Sequence, residues 1–302
     1  MSEISKIILF IFAGREANLE VQRPYLDRIL EENPFAELHL WDLTRTPEDA
    51  AYLDSREHAH GGRVQVIRGL HTGHPIPCRY PNGRERRRGA PPCLCMIHKP
   101  PYEEPYRIYA RSANPDDTIY VKIDDDVLFL ETARFRDFLD VLTKDPTRVV
   151  SANVANNAVC AKYERALIQK FTPSCGDPTL RENDQDWWAL HTSRHFAREC
   201  HDWFINNWDV VYDKTPFRTR KGEAISINCI GFTQATMKRL AASFVASPRL
   251  GDEGAVDVML PWIVPTFHAA HLSFGPQEKA MGEAELQDYR DQYAAVAKEY
   301  LG

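Results

Sequence analysis

The segment YVKIDDDVLFLE, residues 120–131, sets three consecutive carboxylates between two runs of strand-forming apolar residues. Adjacent carboxylates repel, and apolar flanks give them little access to water, so the cluster calls for a concentrated positive partner. Successive residues of an extended chain point to opposite sides, which turns Asp124 and Asp126 toward one ligand and Asp125 away from it. Two convergent carboxylates suit a hard divalent cation, Mn²⁺ or Mg²⁺, and such an ion suits a diphosphate. Elsewhere, Asn153, Asn156 and Asn157 in SANVANNAV lie beyond another strand end, where amides can bond the hydroxyls of a ligand. Trp187, Trp188, Trp203 and Trp208 offer apolar faces for a ring. Taken singly, each asparagine is better read as turn chemistry and each tryptophan as core packing.

The elements that must position these groups alternate between strand and helix patterns. A buried strand over 7–13 runs into Gly14-Arg15, followed by a helix with Leu26, Ile29 and Leu30 on one face and Pro34 beyond its end. Further strands are predicted at 37–42 (ending on Asp42), 63–69, 118–124, 147–154 and 224–232. Thr132 is expected to cap a helix carrying Phe135, Phe138, Leu139 and Leu142, and Thr233 to cap the helix after 232. AVDVMLPWI reads as a helix, and Leu286, Tyr289, Tyr293, Val296 and Tyr300 mark a docked C-terminal helix. This is an α/β pattern with a largely parallel sheet, and aspartates at a strand's carboxyl end stand where open sheets gather ligands. Residues 71–105 form a Pro-rich excursion read as a loop or lid, and 172–222 a polar, aromatic-lined insertion.

YVKIDDDVLFLE resembles the aspartate-x-aspartate motif of GT-A-fold glycosyltransferases. The opening strand to Ala13-Gly14-Arg15, the strand ending at Asp42, and AISINCIGF, GDEGAVDVMLP and FHAAHLSF follow in the order such enzymes use. The resemblance touches most of the chain, with only the aspartate motif individually specific. It implies a single GT-A-type domain over 1–302, with a Rossmann-like mixed, mostly parallel sheet flanked by helices. Residues 1–131 would be the nucleotide-sugar half and 132–302 the acceptor half. It implies that Asp124 and Asp126 hold the metal and diphosphate, with Asp125 on the donor side, and that Phe12, Ala13, Gly14, Arg15 and Asp42 receive the nucleoside. His271, or secondarily His268, would complete the metal shell, and Asp252 or Glu253 would be the general base, although both equally suit a helix start. Asn153, Asn156, Trp187 and Trp188 are the acceptor-side candidates. The donor would be a nucleoside-diphosphate sugar, UDP-linked by preference, and the acceptor a saccharide. The alternatives are a modified DNA base, as for phage-type glycosyltransferases, and a non-catalytic glycan-binding module.

Composition narrows the classes. The chain has 302 residues, 43% hydrophobic and 26% charged, with a formal charge of −6, which counts against a generally basic nucleic-acid binder. Seven cysteines without small-scaffold spacing read as reduced thiols, and the apolar run 7–13 is too short to cross a bilayer, so a cytoplasmic protein is expected. His71, His74, Cys78, Cys93 and Cys95 invite a zinc reading, but their spacing is not that of a standard knuckle. Arg84–Arg88 could grip phosphate or be merely solvated. A pyrophosphorylase would need a Gly-rich, basic signature that FAGREANLEVQRP lacks. A haloacid-dehalogenase-type phosphatase would want its aspartate pair near the first strand.

Overall fold

Strand β1 (Ile7–Ala13) is apolar at every position and buried along its whole length, as a central strand covered on both faces must be. The computed structural model describes residues 4–68, 102–163, 190–210, 215–221, 223, 225, 227–246 and 251–302. His71, His74, Cys78, Cys93, Cys95, Arg84–Arg88, Trp187 and Trp188 lie outside the described residues.

Around β1 the described strands are β2 (Ala36–Asp42), β3 (Val64–Ile67), β4 (Ile119–Asp124), β5 (Val127–Leu130), β6 (Val149–Ala155), β7 (Phe217–Arg218), β8 (Cys229–Thr233) and β9 (Trp262–His271). They form one nine-stranded sheet in the order β3-β2-β1-β4-β8-β6-β9-β5, with β7 paired to β9. The pairs β2–β3, β1–β2, β1–β4 and β6–β9 are parallel, whereas β8 runs against both β4 and β6, and β5 and β7 run against β9. Six of the nine strands therefore point the same way, the mixed and mostly parallel α/β sheet expected. The register brings Phe12 opposite Asp124 and Ala13 opposite Asp42, so β1, β2 and β4 end on a common rim. β5 turns back from that rim with Val127 opposite His271, the last residue of β9.

Helices cover the sheet. They are α1 (Glu16–Glu32), α2 (Pro47–Arg56), α3 (Glu103–Arg111), α4 (Phe135–Lys144), α5 (Ala158–Tyr163), α6 (Arg194–Ile205), α7 (Gln234–Ala246), α8 (Gly251–Asp257), α9 (Gly275–Met281) and α10 (Glu283–Leu301). Helix α1 buries Leu19, Leu26, Ile29 and Leu30, and it contains Pro24, whose missing N–H gives up one backbone bond. Its buried Gln22 donates from Nε2 to the carbonyls of Asp124 and Val127, 2.9 Å each, and so staples the aspartate turn to the helix. The apolar face of α4 packs so closely on β8 that a Cβ at Gly231 would stand 2.6 Å from Phe138 Cε1. Helix α10 buries Leu286, Tyr289, Tyr293 and Val296, and Arg290 Nε donates to Asn18 Oδ1 of α1 at 2.7 Å.

Two local expectations need correction. Thr132 does not cap α4: a 3₁₀ turn over Thr132–Arg134 intervenes, and Arg134 holds the cap position. The helix expected over AVDVMLPWI stops at Asp257, because Pro261 disfavours helical geometry in the residue before it. Leu260 takes a left-handed φ of 52°, and Trp262 already belongs to β9. The polar insertion contains an amphipathic helix, α6, which buries Phe196, Cys200 and Phe204. Thr233 does cap α7, its Oγ1 lying 3.4 Å from the N–H of Thr236.

Candidate metal centre

Asp124 ends β4, Asp125 and Asp126 form the turn that follows, and β5 begins at Val127. Asp124 and Asp126 still converge, although a turn rather than strand alternation brings them together. Ligand atoms of Asp124, Asp126 and His271 all lie within 4.8 Å of one another, the one such group among the described residues. Asp125 instead faces β1, where its Oδ2 accepts the Gly14 N–H at 3.0 Å and its Oδ1 meets Arg15 Nη2 at 2.5 Å. A side chain at Gly14 would collide with the Leu43 carbonyl, 2.8 Å from the Cβ position, so only glycine lets β1 pass so close to this rim.

Each carboxylate has its own support. Asp124 pairs with Lys122 Nζ, accepts from Asn228 Nδ2 at 3.0 Å, and gives its backbone N–H to the Asn228 carbonyl at 2.8 Å. Lys122 also donates to the Ile227 carbonyl at 2.8 Å. Asp126 lies 2.7 Å from Arg15 Nη2 and 3.3 Å from His271 Nε2. Burial opposes ionisation of Asp126, but Arg15 and His271 overcome it and hold this carboxyl well below the ordinary range. Burial, reinforced by the charge of Asp126, keeps Asp124 above its ordinary value despite Lys122. Three carboxylates face two permanent cations, Arg15 and Lys122, so positive charge remains in deficit.

The donor set fits a hard divalent cation. It offers carboxylate oxygen and one imidazole, with Asp126 and His271 buried, Asp124 partly exposed, and His271 Nδ1 lacking any hydrogen-bond partner. The nearby Cys229 is fully buried, which raises its thiol pKa far above the usual range and keeps it from competing as a thiolate.

The other sequence candidates fall around this centre with differing commitments. Phe12 is buried, and its ring meets Tyr102 edge-on at 5.1 Å; Tyr102 is 38% exposed. Asp42 Oδ1 accepts from the N–H and hydroxyl of Thr44 at 3.1 and 2.7 Å. The Arg15 guanidinium, expected to face a donor, is engaged by Asp125 and Asp126, with Glu278 at 3.5 Å. Asp252 and Glu253 open α8, and both charges reach Lys122. Asn153 is buried in β6. Asn156 is fully buried, its amide directed to the carbonyls of His271 and Leu272. Asn157 caps α5, accepting from the N–H groups of Val159 and Cys160. His268 and Trp208 line a separate cavity of about 190 Å³ with Glu131, Thr266 and Tyr300, so HAAH sends its two histidines to different places.

Sequence reasoning missed Lys122, Asn228, Gln22, Tyr102 and Asp257. Lys122 left a signal: a lysine inside an apolar strand, two residues before Asp124 and therefore on its side. Asp257 accepts the Ile225 N–H at 3.0 Å, and burial pushes its carboxyl up to about 7. The rest are contacts between residues about ninety or more apart in the chain, and no local pattern encodes them.

No protein-family model matches the chain, and no curated protein matches it. Among solved structures it is similar to a CMP:2-keto-3-deoxy-manno-octonic acid synthetase complexed with CTP, at a TM-score of 0.43 and 12% identity over 98% of this chain and 100% of that one. No helix among the described residues is long and apolar enough to cross a membrane.

Proposed function

We propose that the chain is a metal-dependent glycosyltransferase that moves a sugar from a nucleoside-diphosphate donor, UDP-linked by preference, to a hydroxyl of a saccharide acceptor. The observation that carries this reading is the convergence of Asp124, Asp126 and His271 at the rim where β1, β2 and β4 end. Asp124, Asp126 and His271 would hold Mn²⁺ or Mg²⁺, which supplies neutralisation of the charge that builds on the departing diphosphate. Arg15 and Lys122 leave the three carboxylates one positive charge short of balance, and a single divalent ion reverses that sign toward an anionic ligand.

The chain's own groups then divide the work. Phe12 and the exposed face of Tyr102 receive the nucleoside beside Asp42, and Gly14 lets the donor approach the backbone. Asp252, with Glu253 as second candidate, takes the proton from the acceptor hydroxyl. The acceptor oxygen bonds to the anomeric carbon, and the bond to the diphosphate breaks with its electron pair leaving on the phosphate oxygen. Asn153 stands on the acceptor side, and Arg15 acts as a counter-ion within the cluster rather than as a donor contact.

A screen of nucleotide sugars for Mn²⁺-dependent hydrolysis and transfer tests this. The unaltered protein is expected to turn over at least one of them, and Asp126→Ala to lower the rate by about 10² or more, the loss expected when several kcal/mol of charge stabilisation disappear. Failure to bind or turn over any nucleotide sugar, with Mn²⁺ affinity unchanged in Asp126→Ala, would sink the reading.

A further inference from the structure

His271 lacks the usual device that orients a metal-binding histidine. Such rings commonly donate their second N–H to a carboxylate or carbonyl, whereas Nδ1 of His271 is buried with no partner, and Nε2 faces Asp126. The ring rests on Phe274 at 4.5 Å between centroids, and Phe274 rests in turn on His191 at 4.2 Å. What fixes the imidazole must therefore act through the backbone that carries it.

Asn156 does so from the end of β6. It adopts a φ of 62°, a left-handed conformation that asparagine tolerates better than most residues, and it is fully buried. From there Nδ2 lies 3.2 Å from the His271 carbonyl, 3.1 Å from that of Leu272 and 2.9 Å from Gln277 Oε1. Gln277 Nε2 returns a bond to Asn156 Oδ1 at 3.1 Å, closing a reciprocal amide pair. The same Gln277 accepts the Phe274 N–H through Oε1 at 3.0 Å and places Nε2 3.2 Å from the Leu190 carbonyl and 3.3 Å from that of Ser193. One amide pair thus ties together the ends of β6 and β9, the start of α9 that carries Phe274, and the segment before α6. From the other side, the Leu272 N–H donates to the Asp126 carbonyl at 2.8 Å, and His201 Nε2 lies 2.7 Å from the Leu272 carbonyl.

We infer that Asn156 and Gln277 are positioning residues of the metal centre, holding the His271 backbone and the Phe274 ring so that the imidazole meets the carboxylates of Asp124 and Asp126. This inference rests on the metal-binding reading of those three residues. Neither amide touches the ion; each acts through His271.

The test is Mn²⁺ affinity by calorimetric titration in Asn156→Gly, which keeps the left-handed backbone and removes the amide, and in Gln277→Met, which keeps the length and removes every hydrogen bond of that amide. Each is made alone and together with His271→Ala, with the Co²⁺ spectrum recorded for nitrogen ligation. Each single variant is expected to bind Mn²⁺ about 10–100-fold more weakly and to lose the histidine signature from the Co²⁺ spectrum. In the His271→Ala background neither is expected to weaken binding further, because the group it positions is already gone. A merely structural role would lower affinity equally in both backgrounds, and that result, or unchanged affinity in both single variants, overturns the inference while leaving the metal reading intact. Should one variant fail to fold, the other reads the same pair from the opposite side. Absence of Mn²⁺ binding by the unaltered protein would overturn the metal reading and the inference with it.

Discussion

Arg15 places one guanidinium between Asp125 and Asp126, side chains 110 residues away along the chain for the first of them. Its position just after β1 suggested a donor contact, yet two buried carboxylates claim it first, because an unpaired buried charge costs more than any surface contact returns. Removing one partner of such a group costs about 3–5 kcal/mol, since the charges left behind remain buried. Arg15→Met is therefore expected to melt at a markedly lower temperature in metal-free buffer. Mn²⁺ should raise that melting temperature by more than it raises that of the unaltered protein, because the ion replaces the lost positive charge. Thermal melts with and without Mn²⁺ decide the point, and equal metal-induced shifts would remove Arg15 from the role of counter-ion. Asp124 and Asp126 stood out in the sequence as carboxylates at the end of an apolar strand, but the turn at Asp125–Asp126, not strand alternation, brings them together. Their partnership with His271 needed a resemblance to suggest it. The supports from Asn228 and Gln22 were not legible at all, since only the folded chain brings them near.

Gly231 shows what the element patterns encode and what they omit. Strands β1, β2, β4 and β6 agree with the sequence reading to within about two residues, as expected of buried runs bounded by charge or proline. The two-residue β7 is too short for any periodicity to reveal it, and the start of β9 was hidden in a run that also reads as helix. The close seating of α4 on β8 is likewise invisible in the sequence, because it depends on which faces meet. A methyl group at Gly231 would lie 2.6 and 2.9 Å from two atoms of the Phe138 ring and 3.0 Å from Leu142 Cδ1. Gly231→Ala is expected to destabilise the protein by about 1–3 kcal/mol through overpacking. Phe138→Leu makes room at the same spot, so the double variant should lose less than the sum of the two single losses. Denaturant unfolding of the three variants measures this, and strict additivity would mean that the helix retreats from the sheet without strain.

Across the whole molecule, one imidazole joins the insertion, the sheet and the C-terminal helix. His201 on α6 lies 2.7 Å from the Leu272 carbonyl through Nε2 and 2.8 Å from the Tyr293 hydroxyl through Nδ1. A carbonyl only accepts, so Nε2 carries the proton, and Nδ1 of the neutral ring accepts from Tyr293. Burial lowers the pKa of His201 from 6.5 to about 4. Between those values the unfolded chain binds a proton that the folded chain refuses, so stability rises with pH across the interval. The contribution is complete above the unfolded pKa and is lost as pH falls toward 4. Between pH 7.5 and pH 5 the single group accounts for about 2 kcal/mol. His191, lowered to about 3 by burial and by His271, acts in the same direction. Glu37 and Glu285, both held near 2 by their hydrogen-bonded partners, lose their contributions only below about pH 4.5, which makes pH 5 the informative limit. His201→Gln keeps an amide donor for the Leu272 carbonyl and cannot titrate. Its unfolding free energy is expected to fall by about 2 kcal/mol less than that of the unaltered protein over the same interval, with all other groups common to both. Parallel pH profiles from denaturant titrations would mean that His201 takes up its proton alike in the folded and unfolded chains, and would break the buried link it provides between α6, the end of β9 and α10.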